Sequence, residues 1–251
     1  MLLLRWLLYF VAIMYLVAPL IIYLTHRQNA NPRMDPAGSD PAASPVLAPL
    51  AEPTRAIQNL GFELVGCYGL SLSANVTTFL SYLVHRANGD LAIVAHLASP
   101  VKTVDMAEFG TRFMDGGALT TGNSSTPSVY LRPRNKPVYR FSEEHDLAKL
   151  YRYHQLLIQR DKGSLKKDVP APGAEAERLV EALRREMADQ VPVGILQTDG
   201  KTFRPTLKGA YYMTWQLLFP VKQIRVALRA SRTRALAKAL DEGRLSASSA
   251  V

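Results

Sequence analysis

The sequence predicts an α+β protein with an N-terminal single transmembrane helix, a Pro/Ala tether and an antiparallel β-meander of four to five strands followed by helices. Three observations carry this. Residues 6–25 run for 20 positions without a charge. Residues 57–122 alternate β-rich runs with Gly-containing turns. From residue 142 onward the apolar spacing becomes helical. The domain boundaries that follow are a transmembrane anchor over 1–27, a disordered Pro/Ala-rich linker over 28–53, an α+β globular domain over 54–205 and a basic amphipathic helical segment over 206–251.

The anchor expectation rests on length. Twenty helical residues span about 30 Å, the thickness of a bilayer core. Trp6, Tyr9 and Tyr23 lie near the ends of the run, as interfacial aromatics do. A cleaved signal peptide has a shorter apolar run and a small-residue cleavage site, whereas here His26-Arg27-Gln28 follows directly. The linker expectation rests on composition. Six prolines and six alanines among residues 28–53 read as a tether that buries no core.

Within the domain, Val76–His85 and residues 91–97 flank Ala87-Asn88-Gly89-Asp90. Asn-Gly tolerates the positive φ of a tight hairpin, so this pair is the clearest turn in the chain. Leu91, Ile93, Ala95 and Leu97 share one sheet face by alternation, and Val94 and His96 the other. A second hairpin turns at Asp115-Gly116-Gly117, and residues 61–71 supply a further strand. A helix is expected over 142–160 with Ser142 as N-cap, and another over about 174–190. A short hairpin is expected at Asp199-Gly200.

Charge resolves by region. The whole chain carries a formal +9, but residues 28–199 hold 18 basic and 19 acidic residues while residues 200–251 hold 10 and 2. In that last segment Trp215 and Phe219 precede a helical row of Lys222, Arg225, Arg229 and Arg232. An apolar-aromatic stretch beside a basic stripe is the pattern of a membrane or partner contact. These six residues are the candidate contact site, with anionic lipid headgroups or a membrane protein as partner.

A second candidate lies in residues 129–141. Arg132, Arg134, Lys136 and Arg140 interleave with Tyr130, Tyr139 and Phe141 as a candidate anion-contact loop. Cations among aromatics suit single-stranded nucleic acid in principle. The two prolines and the lack of any RNA-binding motif argue against nucleic acid and for an ordinary connection.

Enzymatic chemistry finds little support. No HExxH, GxSxG, P-loop or GxGxxG pattern occurs. Glu143, Glu144, His145 and Asp146 are the densest polar cluster, yet a helix N-terminus collects acids for dipole reasons alone. His85 and His96 flank one hairpin and are expected to be cross-strand neighbours, without a carboxylate at ligand spacing. Cys67, the lone cysteine, reads as a small buried hydrophobe. No catalytic residue, cofactor or metal is assigned.

The leading expectation is a membrane-anchored non-enzymatic accessory or scaffold protein that binds a partner or anionic lipid at the membrane surface. The alternative is a membrane-tethered enzyme acting on an envelope or lipid-associated substrate. The basic C-terminal segment favours the cytoplasmic side, where anionic lipid is richer. Asn75 and Asn123 stand in glycosylation sequons, relevant only on a lumenal side.

Overall fold

The computed structural model describes residues 2–73, 76–99, 102–126, 128 and 130–244. Along the chain run α1 (Leu2–Thr25), β1 (Gln28–Asn29), β2 (Arg33–Gly38), a 3₁₀ turn (Pro41–Ala43), α2 (Ala48–Gln58), β3 (Glu63–Ser73) and β4 (Val76–His85). There follow β5 (Asp90–Ala98), β6 (Thr103–Arg112), β7 (Ala118–Gly122), β8 (Val138–Arg140), α3 (Leu147–Lys162) and α4 (Glu175–Ala188). The chain closes with β9 (Leu196–Thr198), β10 (Thr202–Pro205), α5 (Leu207–Leu217) and α6 (Val221–Asp241). Two units divide these elements. The first, the helix–hairpin unit, holds Met1–Pro32, Thr126–Leu131 and Leu179–Ala227; the second, the sheet unit, holds Arg33–Ser125, Arg132–Arg178 and Leu228–Val251.

The sheet unit is built on one sheet in the order β2-β3-β4-β5-β6-β7-β8. Its neighbours are antiparallel except the parallel pair β7–β8. The Asn88-Gly89 turn sets the central register, pairing His85 with Asp90 and Val84 with Leu91. Gly89 has φ +74°, and a Cβ there would lie 2.5 Å from Val169 Cγ2, so glycine is required on both counts. The alternation fixes two faces. Cys67, Leu83, Ala92, Val94, Ala107, Phe109 and Leu119 pack under Leu50 and Ile57 of α2 and Leu150, Tyr153 and Leu157 of α3. Leu80, Tyr82, Val84, Leu91 and Ala95 on the opposite face are buried as well, which is why β4 and β5 read as nearly continuous apolar runs.

Several expectations are corrected here. The sheet has seven strands rather than four or five, because the Pro/Ala-rich segment is no disordered tether. Residues 33–38 form β2 on the edge of the sheet, where the missing N–H of Pro36 is tolerable. Residues 48–58 form α2, with Pro49 in its first turn and Leu50, Thr54 and Ile57 buried on one stripe. The prolines concealed that helical spacing. His85 pairs with Asp90 and His96 with Phe79, so the two histidines are not neighbours. The N-cap of α3 is Asp146 and not Ser142; its Oδ1 accepts the Ala148 and Lys149 N–H bonds.

The transmembrane anchor is also corrected, and with it the single-pass membrane description. Among the described residues, no helix is long and apolar enough to cross a membrane. Nor does α1 stand apart from folded protein, since it packs against α5 within the helix–hairpin unit.

That unit has a small core of its own. Ala30, Met187, Ile195, Leu196, Phe203 and Met213 cluster, with Ile22, Tyr130, Val191 and Tyr212 around them. The expected Asp199-Gly200 hairpin pairs β9 with β10, and β1 adds to β10. Thr206 caps α5 by accepting the Gly209 N–H at 3.0 Å. Gly209 itself presses on the hairpin, where a Cβ would stand 1.9 Å from the Ile195 carbonyl oxygen.

Candidate functional site

The most unusual surface of the molecule lies on the helix–hairpin unit. Along α1, Val11, Tyr15, Ala18, Pro19 and Ile22 recur at three- and four-residue steps and are the half-buried or buried positions. Tyr15 lies 4.8 Å from the Trp215 ring and donates to the Phe219 carbonyl at 2.8 Å. One stripe of α1 thus packs on protein. Most of the other described side chains of the helix are apolar and exposed, including Trp6, Tyr9, Phe10, Ile13, Leu16, Leu20 and Leu24. Trp215 of the partner helix α5 and Phe219 just beyond its end add to it, 51 % and 66 % exposed. Single exposed apolar side chains are ordinary, but a helix length of them is not.

The basic residues proposed from sequence stand as follows. Lys222 and Arg225 are exposed at the start of α6 in the same unit as Trp215 and Phe219, beside the exposed Ile224 and Val226. Arg229 and Arg232 lie in the part of α6 that belongs to the sheet unit, half-buried and exposed respectively. There α6 buries Leu240 and packs Leu236 and Ala237 on the sheet-unit core. Ile224 and Leu228, earlier in the same helix, are exposed.

The loop carrying Arg132, Arg134, Lys136 and Arg140 is stitched to the sheet, as Asn135 O and Pro137 O accept the Ala118 and Thr120 N–H bonds. Arg132 and Arg134 are exposed; Lys136 and Arg140 are half-buried. Its aromatics are committed elsewhere. Phe141 is buried at 4.9 Å from the Tyr153 ring, and Tyr139 donates to Asp161 at 2.6 Å while accepting from Arg160 at 2.9 Å. Tyr130 is fixed by donating to Gln28 at 2.5 Å within the helix–hairpin unit. No row of open rings accompanies the four cations among the described residues. The first residue of that loop, Val129, lies outside the described residues.

The acidic cluster at the head of α3 lines a cleft of about 440 Å³ shared with the end of α6. Its groups serve one another. Glu144 accepts from the Asp146 N–H at 3.1 Å and pairs with Lys149 at 3.2 Å. Lys149 also meets Asp241 at 3.3 Å, and Tyr153 donates to Asp241 at 2.9 Å. Asp146 caps the helix. Glu143, His145 and Asp146 are exposed, and Glu144 is half-buried. Of the two sequon asparagines, Asn75 lies outside the described residues, and Asn123 is tied by accepting the Ala107 N–H at 2.8 Å.

A polar network that the sequence did not reveal lies under α3. Asp90 is 0 % exposed and accepts from Thr111 at 2.5 Å, Lys167 at 2.8 Å, Tyr151 at 3.0 Å and Gln155. His154 meets Thr111 through Nε2 at 2.9 Å and Thr121 through Nδ1 at 3.0 Å. Because the Thr111 hydroxyl donates to Asp90, it must accept from His154, so Nε2 carries the proton. Nδ1 then accepts from Thr121, and the imidazole is neutral. Burial pushes the His154 pKa down to about 4. Burial opposes ionisation of Asp90 too, yet hydrogen bonds from Lys167 and Thr111 hold its carboxyl below the usual range. The only sequence sign of this network was Asp90 beside Asn88-Gly89, where it reads as a turn residue. With Asp90, Thr111, Thr121 and His154 buried and hydrogen-bonded to one another or to Lys167, Tyr151 and Gln155, the network fastens α3 to the sheet.

Cys67 is likewise buried, with Sγ 3.5 Å from Ser81 Oγ and its thiol pKa pushed up chiefly by burial. Compared with protein-family models, curated proteins and solved structures, the chain shows no match to any of them.

Proposed function

We propose that this protein is a non-enzymatic binding module that docks on an anionic lipid surface through the α1–α5 face of its helix–hairpin unit. The observation that carries the reading is the exposed apolar side of α1, continued by Trp215 and Phe219. Burying apolar surface gains roughly 25 cal/mol per Å², so a helix face of this kind left in water is a large unfavourable term. A helix lying in the interface sinks its apolar face about 5–10 Å into the headgroup and acyl boundary. Lys222 and Arg225, on the same unit, supply charge complementary to anionic headgroups, each contributing about 1 kcal/mol near such a surface. Trp and Tyr rings suit the polar–apolar boundary for the same reason.

The test is flotation of the full chain with phosphatidylcholine vesicles, with and without phosphatidylglycerol. Co-flotation that increases with the anionic lipid and weakens at high salt is the expected result. Trp215→Ser with Phe219→Ser should reduce binding on all vesicles, whereas Lys222→Glu with Arg225→Glu should reduce it only on anionic ones. A chain that stays monodisperse in detergent-free buffer and leaves vesicles unbound would sink the proposal. A stable homodimer that hides the same face would sink it equally.

A further inference from the structure

The sheet unit holds a second, smaller recess that is independent of the lipid reading. It measures about 260 Å³ and lies among the β2-to-3₁₀ turn, α2 and Leu64. Its polar walls are Ser39, Asp40, Thr54, Arg55 and Gln58. Two features distinguish it from ordinary surface relief.

The first is Thr54. The residue is 1 % exposed, and its hydroxyl has no hydrogen-bond partner. A buried hydroxyl left unsatisfied costs about 1–3 kcal/mol, whereas valine in that shape would avoid the penalty. Thr54 lines this recess, and a ligand in it would supply the missing hydrogen bond.

The second is charge. Asp40 and Arg55 both line the recess, yet they form no ion pair with each other, and Arg55 has no ion-pair partner among the described residues. Asp40 spends Oδ1 on the Ala42 N–H at 2.8 Å, which fixes the carboxylate and leaves Oδ2 to face elsewhere. Opposite charges held apart across one small space match a ligand that itself carries both signs. Guanidinium favours a carboxylate in a two-point contact, and a carboxylate favours an ammonium. The remaining wall is Pro41, Ala42, Ala51 and Leu64, which suits a short aliphatic side chain.

We propose that this recess binds a small zwitterion of the α-amino-acid class, with Arg55 on its carboxylate, Asp40 on its ammonium, and Thr54 and Gln58 hydrogen-bonding between them. The recess is smaller than the pockets that take drug-sized molecules, which limits the ligand to amino-acid dimensions.

The experiment is titration of the full chain with L-alanine and L-serine, followed by calorimetry and by amide shifts of residues 51–58. Acetate and methylammonium, each carrying one of the two charges, are run alongside. Saturable binding of either amino acid is expected, with acetate and methylammonium at least about tenfold weaker. Arg55→Gln and Asp40→Asn should each lose about tenfold, since both positions are exposed and asparagine still caps the 3₁₀ turn. Thr54→Val should weaken binding while leaving the thermal midpoint unchanged or higher. The proposal is overturned by no saturable shift up to about 10 mM, by acetate binding as well as alanine, or by affinity retained in both charge variants. A lower midpoint for Thr54→Val would show that the hydroxyl is satisfied within the fold, and that would remove it from the site.

Discussion

The two units solve the burial problem in opposite ways. The sheet unit turns its apolar alternation inward on both faces and joins Asp90, Lys167, Thr111, His154 and Thr121 in one chain of hydrogen bonds. The helix–hairpin unit encloses a handful of residues around Ile195 and Phe203 and leaves most of α1 apolar and exposed. The contrast teaches where to look for function. In the sheet unit the Asp90–His154 network serves the fold; in the helix–hairpin unit the exposed apolar face is what we propose a lipid surface covers.

The largest expected effect tests the small core. Gly209→Ala places a methyl 1.9 Å from a backbone oxygen, so α5 must leave β9. A loss of more than about 4 kcal/mol is expected there. Hydrogen exchange should rise across α5 and the β9–β10 hairpin while the seven-stranded sheet keeps its protection.

The buried network comes next. Asp90→Ala strands Lys167 and three neutral donors, and chemical denaturation should show a loss of about 3 kcal/mol. Asp90→Asn should lose less, because it keeps an acceptor. Equal losses for the two would mean that the carboxylate charge is not what the site holds.

Acid should act through the same residues. The folded-state pKa of His154, about 4, lies below its ordinary 6.5, so the unfolded chain takes the proton more readily. Stability from a neutral His154 is therefore complete above 6.5 and is lost as pH falls from 6.5 toward 4, by about 3 kcal/mol in all. Asp90 holds its contribution to lower pH: its folded pKa is depressed, so its stability is lost as pH falls from the ordinary carboxylate value, where the unfolded chain takes the proton, toward the lower folded one. His154→Gln should flatten the 6.5-to-4 limb of a stability–pH curve.

The smallest effect belongs to the surface. Arg234 and Glu143 meet at 3.9 Å with 65 % and 62 % of their side chains exposed. Arg234→Ala should change stability by less than about 0.5 kcal/mol. A larger loss would indicate that the cleft at the head of α3 contributes packing beyond that ion pair.

Much of the sheet was legible because its signals are local. Asn88-Gly89, Asp115-Gly116-Gly117 and Asp199-Gly200 each fixed a turn, and the strand alternation around them assigned faces. The helical spacing of α3 and α4 was equally plain. What misled was composition taken without its partners. Proline in residues 28–53 suggested a tether, although an edge strand and a helix's first turn are two places that accept proline. The uncharged run in α1 suggested an isolated span, whereas part of that helix packs on α5. In the candidate site, Trp215, Phe219, Lys222 and Arg225 were named from pattern alone. Asp90, Thr54 and Arg55 were not, because their significance lies in contacts made or missing across long sequence separations.

The sequence by itself determined the turns, the period of each element and the concentration of positive charge after residue 200, since these depend on residues a few positions apart. Only the tertiary structure decided which proline-rich segment joins the sheet, which side of α1 is covered, and which buried polar groups find partners. Those outcomes depend on surfaces brought together by the fold, where burial and hydrogen bonding are settled between distant residues.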